Sequence, residues 1–184
     1  MIAGIIIGFI VVVVLIFFIT GYNGFVRLRN NVEEAFSTMD VYMKKRYDLI
    51  PNLVETVKGY AKHEKETLAA VMSARNAIKS AGTDEERLQA ENHLTQTLGH
   101  LFAVAEAYPD LKANQNFLNL QNQLTSIEDD IANSRKYYNG CVKQYNTKRE
   151  MFPSNIIAGL FHFEKKPLYE IDETERQNVN VSFE

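Results

Sequence analysis

The sequence predicts an all-α protein, in which an N-terminal transmembrane helix continues into an elongated antiparallel bundle of about four long helices, followed by a mostly irregular C-terminal tail. Three observations predict it. Residues 2–19 form an unbroken apolar run. Behind it, apolar residues recur at three- and four-residue steps, the period of one helix face. Only Pro51 and Pro109 interrupt residues 22–150. The chain divides accordingly into an anchor (1–21), a helical bundle domain (22–152), and a short amphipathic segment with an acidic tail (153–184).

The apolar run from Ile2 to Ile19 matches the length of about 20 residues that spans a hydrocarbon core. A cleaved signal peptide would need a basic n-region, a shorter core and a small-residue cleavage site. The only charge before this run is the amino terminus, and Phe17-Phe18-Ile19-Thr20-Gly21 is a poor cleavage site, so an uncleaved anchor is expected. Ala3, Gly4 and Gly8 give the span a small-residue face, with Gly4 and Gly8 at the GxxxG spacing that lets helices approach closely.

The next segment, Tyr22 to about Tyr47, places Tyr22, Phe25, Val32, Phe36, Met39 and Met43 on one stripe, and a helix is expected to run on directly from the membrane. Pro51 lacks an amide donor and disfavours helix at Ile50, so a break or kink is expected between Asp48 and Pro51. A second helix is expected from Pro51 to Lys79, with Leu53, Val54, Val57, Tyr60, Ala61, Leu68, Val71 and Ala74 as its stripe. Gly82 suits a left-handed cap after it. Thr83-Asp84-Glu85-Glu86 reads as a capping box, in which Thr83 and Glu86 each reach the other's amide. The third helix then runs to about Tyr108, and Pro109-Asp110 makes a turn. In the fourth, Phe117, Leu124, Ile131, Tyr138 and Tyr145 repeat every seven residues, with Leu120, Ile127, Ser134 and Cys141 interleaved. This coiled-coil-like seam extends to about Arg149. Ile156 to Phe163 is short and apolar. The terminal alternation of Val179, Val181 and Phe183 could form a strand, though a frayed end is the simpler expectation.

Charge and cysteine content narrow the function. Residues 22–80 hold ten Lys/Arg against seven Asp/Glu, and residues 83–184 hold ten against sixteen. A basic section beside the membrane suits anionic lipid, and the acidic remainder gives no support to nucleic-acid binding. One cysteine, Cys141, excludes an internal disulfide. On the heptad seam it reads as a small core hydrophobe. His63-Glu64 lacks the second histidine of a zinc-protease motif, because position 67 is Thr. His93 and His100 read as solvated, and Glu128-Asp129-Asp130 point around a helix and read as a solvated face. No cofactor, metal or catalytic residue is indicated. Arg27 and Arg29 follow the span and nothing basic precedes it, which favours an outside amino terminus and a cytoplasmic body.

The stretch from Ala35-Phe36-Ser37-Thr38-Met39-Asp40 through Lys44-Lys45-Arg46-Tyr47-Asp48-Leu49-Ile50-Pro51-Asn52 to Ala61 resembles the signature of the bacterial LemA family. So do Tyr108-Pro109-Asp110-Leu111-Lys112-Ala113-Asn114-Gln115-Asn116-Phe117 and Ile131-Ala132-Asn133-Ser134-Arg135 through Tyr138-Asn139. Family members often carry Trp where this chain has Phe36. The resemblance implies an anchored helical bundle and brings no catalytic role, the family having no established reaction.

Two groups of residues are therefore candidates for contact rather than chemistry. Asp40, Lys44, Lys45, Arg46, Asp48, Asn52, Asn114 and Asn116 cluster near helix breaks, as a polar network joining helices or as a binding surface. Gly4, Gly8, Ile156, Ile157, Leu160, Phe161 and Phe163 are candidates for membrane or subunit contact. The reading is a scaffold of the bacterial inner membrane, partnered by the lipid bilayer, further copies of itself and other membrane proteins. Its rivals are an accessory or ligand-sensing component acting with a membrane protease or envelope-stress system, and an enzyme built on Asp40, Arg46 and Asn114.

Overall fold

Six helices and their connections account for residues 1–169, which the structure, a computed structural model, describes. They are α1 (Ile2–Tyr60), α2 (Lys65–Ser80), α3 (Asp84–Ala105), α4 (Pro109–Lys112), α5 (Gln115–Glu150) and α6 (Ser154–Leu160). Among the described residues there is no strand. The alternation at Val179, Val181 and Phe183 lies outside them.

The first difference from the sequence reading is at Pro51. Helix α1 does not break there but runs on to Tyr60. In a regular helix the amide of residue 51 would donate to the carbonyl of Tyr47, and proline has no such donor. Arg75, from the middle of α2, supplies one: its Nε donates to the Tyr47 carbonyl at 3.2 Å, and its guanidinium lies 3.8 Å from the centre of the Tyr47 ring. With that carbonyl satisfied and Ile50, Leu53 and Val57 fully buried, continuing the helix stabilises more than the proline costs. The turn comes instead at Ala61–Glu64, where the Glu64 amide donates to the Ala61 carbonyl at 3.1 Å.

Two smaller expectations are also corrected. Gly82 is not left-handed: α2 ends through an extended Ala81, and no described glycine has positive φ. At the start of α3 the Glu86 amide donates to Thr83 Oγ1 at 3.2 Å, as expected. The Glu86 carboxylate, however, accepts from the Gly82 amide at 2.8 Å rather than from that of Thr83, so the box closes one residue earlier. Asn114 begins α5, its Oδ1 accepting from the Phe117 amide at 3.0 Å.

The chain divides into two compact units, to each of which α1 and α5 contribute. The first combines Met1–Met39 with Ser134–Leu168. Here α5 runs antiparallel to α1, Tyr138 facing Phe36 and Tyr145 facing Phe25. Helix α6 then folds back onto α1, burying Ile157 and Ala158. It closes with the Phe163 amide donating to the Ala158 carbonyl at 2.9 Å around a left-handed His162, the arrangement of a Schellman cap. The second unit is centred on Asp40–Asn133. Its core joins Ile50, Leu53 and Val57 of α1 to Val71 of α2, Leu94, Leu98 and Leu101 of α3, Leu111 of α4, and Phe117 and Leu124 of α5. Every seventh residue of the α5 seam, Phe117 through Tyr145, is buried.

Candidate functional site

One cation lies at the heart of the second unit. Met39, Met43, Arg46, Ile50 and Leu53 fall at alternating four- and three-residue steps, so α1 turns Arg46 inward with its apolar neighbours. Arg46 is 0% exposed. An isolated buried charge is very costly, so it must be met by opposite charge and hydrogen bonds. Helix α3 brings Glu91 and Thr95, one turn apart, and α5 brings Glu128. Arg46 Nη1 donates to Glu128 Oε1 and to Thr95 Oγ1, each at 2.6 Å. Nη2 donates to the Glu91 carbonyl at 3.2 Å and pairs with the Glu91 carboxylate.

The electrostatics follow from burial. Desolvation alone would lower the guanidinium's pKa, but the Glu128 and Glu91 carboxylates outweigh it and hold Arg46 above its ordinary value. Desolvation raises Glu91 above the usual carboxylate range, and Arg46 offsets this only in part. The arrangement is a clamp binding three helices through one planar fork of donors. Glu128, which the sequence suggests is solvated, is an ion-pair partner here, its side chain 31% exposed. Its neighbours Leu124 and Ile131 are core residues, and position 128 shares their helix face.

The other polar candidates do different things. Asp40 pairs with Arg87 of α3. Lys44 and Asp48 make an exposed pair one turn apart at 2.9 Å, and Lys45 lies 5.2 Å from the Tyr42 ring centre. Asn114 caps α5 and donates from Nδ2 to the Tyr60 hydroxyl at 2.8 Å. Nearby the Tyr108 hydroxyl donates to Glu64 at 2.7 Å, and that hydrogen bond is the main reason its pKa is raised. Asn52 and Asn116 line a shallow polar groove with Glu55, Thr56, Asn119 and Gln123. The eight residues therefore form no single site. Only Arg46 enters the buried cluster, whose other members are Glu91, Thr95 and Glu128.

A second concavity, of about 870 Å³, lies between the end of α1 and α2, lined by Val54, Leu68 and Met72 and edged by Lys62, His63, Lys65 and the Lys58–Glu55 pair. Among the described residues no group of three or more His, Cys, Asp or Glu side chains is placed to hold a metal ion.

The apolar contact candidates separate. Gly4 and Gly8 have nothing within 4 Å of a Cβ built on them. Ile157 and Phe163 are buried within the first unit, Phe163 stacking on Phe25 at 4.7 Å between ring centres. Ile156, Leu160 and Phe161 remain exposed.

Among the described residues, fold and site define an all-α protein with one helix long and apolar enough to cross a membrane and a bundle clamped around a buried arginine. The chain matches the LemA family over residues 35–183, and it belongs to that family. Protein LemA of Metamycoplasma hominis is 25% identical over 161 residues, covering 87% of this chain and 74% of that protein. Magnetosome protein MamQ 2 of Paramagnetospirillum magneticum is 25% identical over 175 residues, covering 81% of this chain and 64% of its own length. Magnetosome protein MamQ of Magnetospirillum gryphiswaldense is 23% identical over 170 residues, covering 78% and 62%. The chain thus spans a little under two thirds of the MamQ proteins it matches.

Proposed function

We propose that this protein is a single-pass helical scaffold of the bacterial inner membrane, which self-associates and organises other membrane components without catalysing a reaction. The observation that carries the reading is the continuity of α1: residues 2–19 pass into the bundle helix with no linker, so anchor and domain share one element. The ion pairs around Arg46 support a structural role for this buried cluster, since both terminal guanidinium nitrogens already meet acceptors on α3 and α5. Self-association is supported by the open face at Gly4 and Gly8, where a second helix could pack closely. Confinement to a membrane raises the effective concentration of anchored copies. Arg27 and Arg29 favour an outside amino terminus and a cytoplasmic body.

Disulfide trapping tests the association. In a Cys141→Ser background, Gly4→Cys should cross-link to a dimer in native membranes on mild oxidation, and failure to cross-link from any position on that face would oppose the reading. Orientation is read by labelling Gly140→Cys with an impermeant maleimide. The proposal expects labelling of spheroplasts only after permeabilisation.

A ligand-sensing role is the second reading, favoured by the groove between α1 and α2. Its apolar floor and cationic rim fit an anionic amphiphile, and a thermal-shift screen that finds a stabilising compound of that kind would support it.

A further inference from the structure

We propose that α6 and the turn preceding it form an interfacial foot, which rests on the bilayer and fixes the depth and tilt of the anchor. The inference rests on reading residues 2–19 as membrane-spanning and concerns only the first unit.

Position comes first. Helix α5 descends antiparallel to α1, toward the span, until Lys148 lies against Gly24 and its ammonium is 5.1 Å from the centre of the Phe25 ring. Two residues after Lys148 the helix ends, and α6 packs where the span emerges. Ile157 occupies the space beside Gly21 that a Cβ there would need, and Phe161 meets Tyr22 at 4.8 Å between ring centres. At 1.5 Å rise per residue, Gly21 lies about 3 Å beyond the last residue of the apolar run. Helix α6 is therefore held within one helical turn of the hydrocarbon boundary.

Composition agrees. The inner face of α6 is used by Ile157 and Ala158, yet Ile156, 52% exposed, and Leu160, 60% exposed, point outward, and Phe152 in the turn before it is 79% exposed. In water such a patch is a liability. At a bilayer surface it is the buried side of an interfacial amphipathic segment, and cations belong at its edge, facing anionic headgroups. Lys165 and Lys166 follow the apolar stretch after Glu164, with Lys165 within 3.8 Å of Glu150 at the end of α5.

The foot is also fixed in place. The Arg149 Nε donates to the Phe163 carbonyl at 2.9 Å. Asn146 takes the Lys166 amide at 3.0 Å and gives a hydrogen bond to the Lys166 carbonyl at 2.8 Å. Tyr138 donates to the Pro167 carbonyl at 2.9 Å. These bonds tie the returning chain along α5, so the outward-facing side chains keep their orientation.

The chain contains no tryptophan, so single substitutions report their own surroundings. Full-length Phe152→Trp, Leu160→Trp, Phe9→Trp and Tyr137→Trp proteins are reconstituted in phosphatidylcholine–phosphatidylglycerol vesicles. Each is then quenched with brominated lipid and with aqueous acrylamide. All four positions are exposed, so folding is little affected. Emission from the Phe152→Trp and Leu160→Trp proteins should be blue-shifted relative to the Tyr137→Trp control, severalfold less sensitive to acrylamide, and quenched most by bromines near the headgroup. The Phe9→Trp emission should be quenched by the deepest bromines. Acrylamide quenching at 152 and 160 equal to that at 137, with position 9 still quenched by lipid, overturns the foot alone. Shielding at 152 and 160 from both quenchers also overturns it, in favour of cover by a second copy. Loss of lipid quenching at position 9 removes the span reading and the foot together.

Discussion

The passage of α1 through Pro51 rests on one donor, and removing it gives a calculable penalty. Arg75→Ala deletes the Nε–H that meets the Tyr47 carbonyl at 3.2 Å and the guanidinium stacked 3.8 Å from its ring centre. A hydrogen bond from a charged donor contributes about 1.5–3 kcal/mol, and an exposed cation–π contact adds about 0.5–1 kcal/mol. Both groups are only half-buried, so water can partly replace the donor, and the expected loss is about 1–3 kcal/mol. For a chain of this size that lowers Tm by about 2–12 °C. Thermal unfolding followed by circular dichroism at 222 nm, in detergent, measures it. The diagnostic step is the Pro51→Ala background, in which residue 51 regains an amide for the Tyr47 carbonyl. There Arg75→Ala should lose only its contact with the ring, about 0.5–1 kcal/mol. Equal losses in the two backgrounds would refute the claim that Arg75 substitutes for the missing proline donor.

Three further outcomes follow from named contacts. Arg46→Ala leaves Glu91 buried without its partner and should cost about 3–5 kcal/mol, while Arg46→Leu with Glu91→Leu recovers most of this, both read by chemical denaturation. Glu91 holds its proton more tightly in the folded chain than at its ordinary value of 4.5, so its contribution to stability is fully present below that pH and is lost as pH rises through the folded value. The Tm of the wild type minus that of Glu91→Gln should therefore fall as pH rises above about 4.5, and a rise would reverse the assigned sign. At Gly21 an added side chain meets Ile157, which is fully buried, so Gly21→Leu should unseat α6 and speed proteolysis after residue 150, whereas Gly24→Ala displaces only the mobile end of Lys148 and should leave it unchanged.

Much of the fold was legible because it depends on local period. The heptad from Phe117 to Tyr145, the Thr83 cap and the apolar run each announce themselves within a few residues. The path through Pro51 was not, because its compensating donor lies 24 positions further along the chain and belongs to a different helix. The buried cluster was half visible. In sequence Arg46 stands among eight polar residues near helix breaks, yet its spacing from Met39, Met43 and Ile50 already places it on the core stripe. Glu91 lies likewise in line with Leu88, Leu94 and Leu98, and Glu128 with Leu124 and Ile131. Opposite charges at core positions of three helices are a signal that pairwise burial can be read from. It was obscured at Glu128 by the two carboxylates beside it, which suggest a solvated face.

The central claim is a self-associating membrane scaffold, and the mass of the particle tests it most directly. Multi-angle light scattering of the full-length protein in mild detergent, with the detergent contribution subtracted, should give two or more times the 21.1 kDa chain mass. Gly8→Ile, which places a branched side chain on the open small-residue face, should shift the particle toward one chain. A strictly monomeric particle, unaltered by that substitution, would contradict the account.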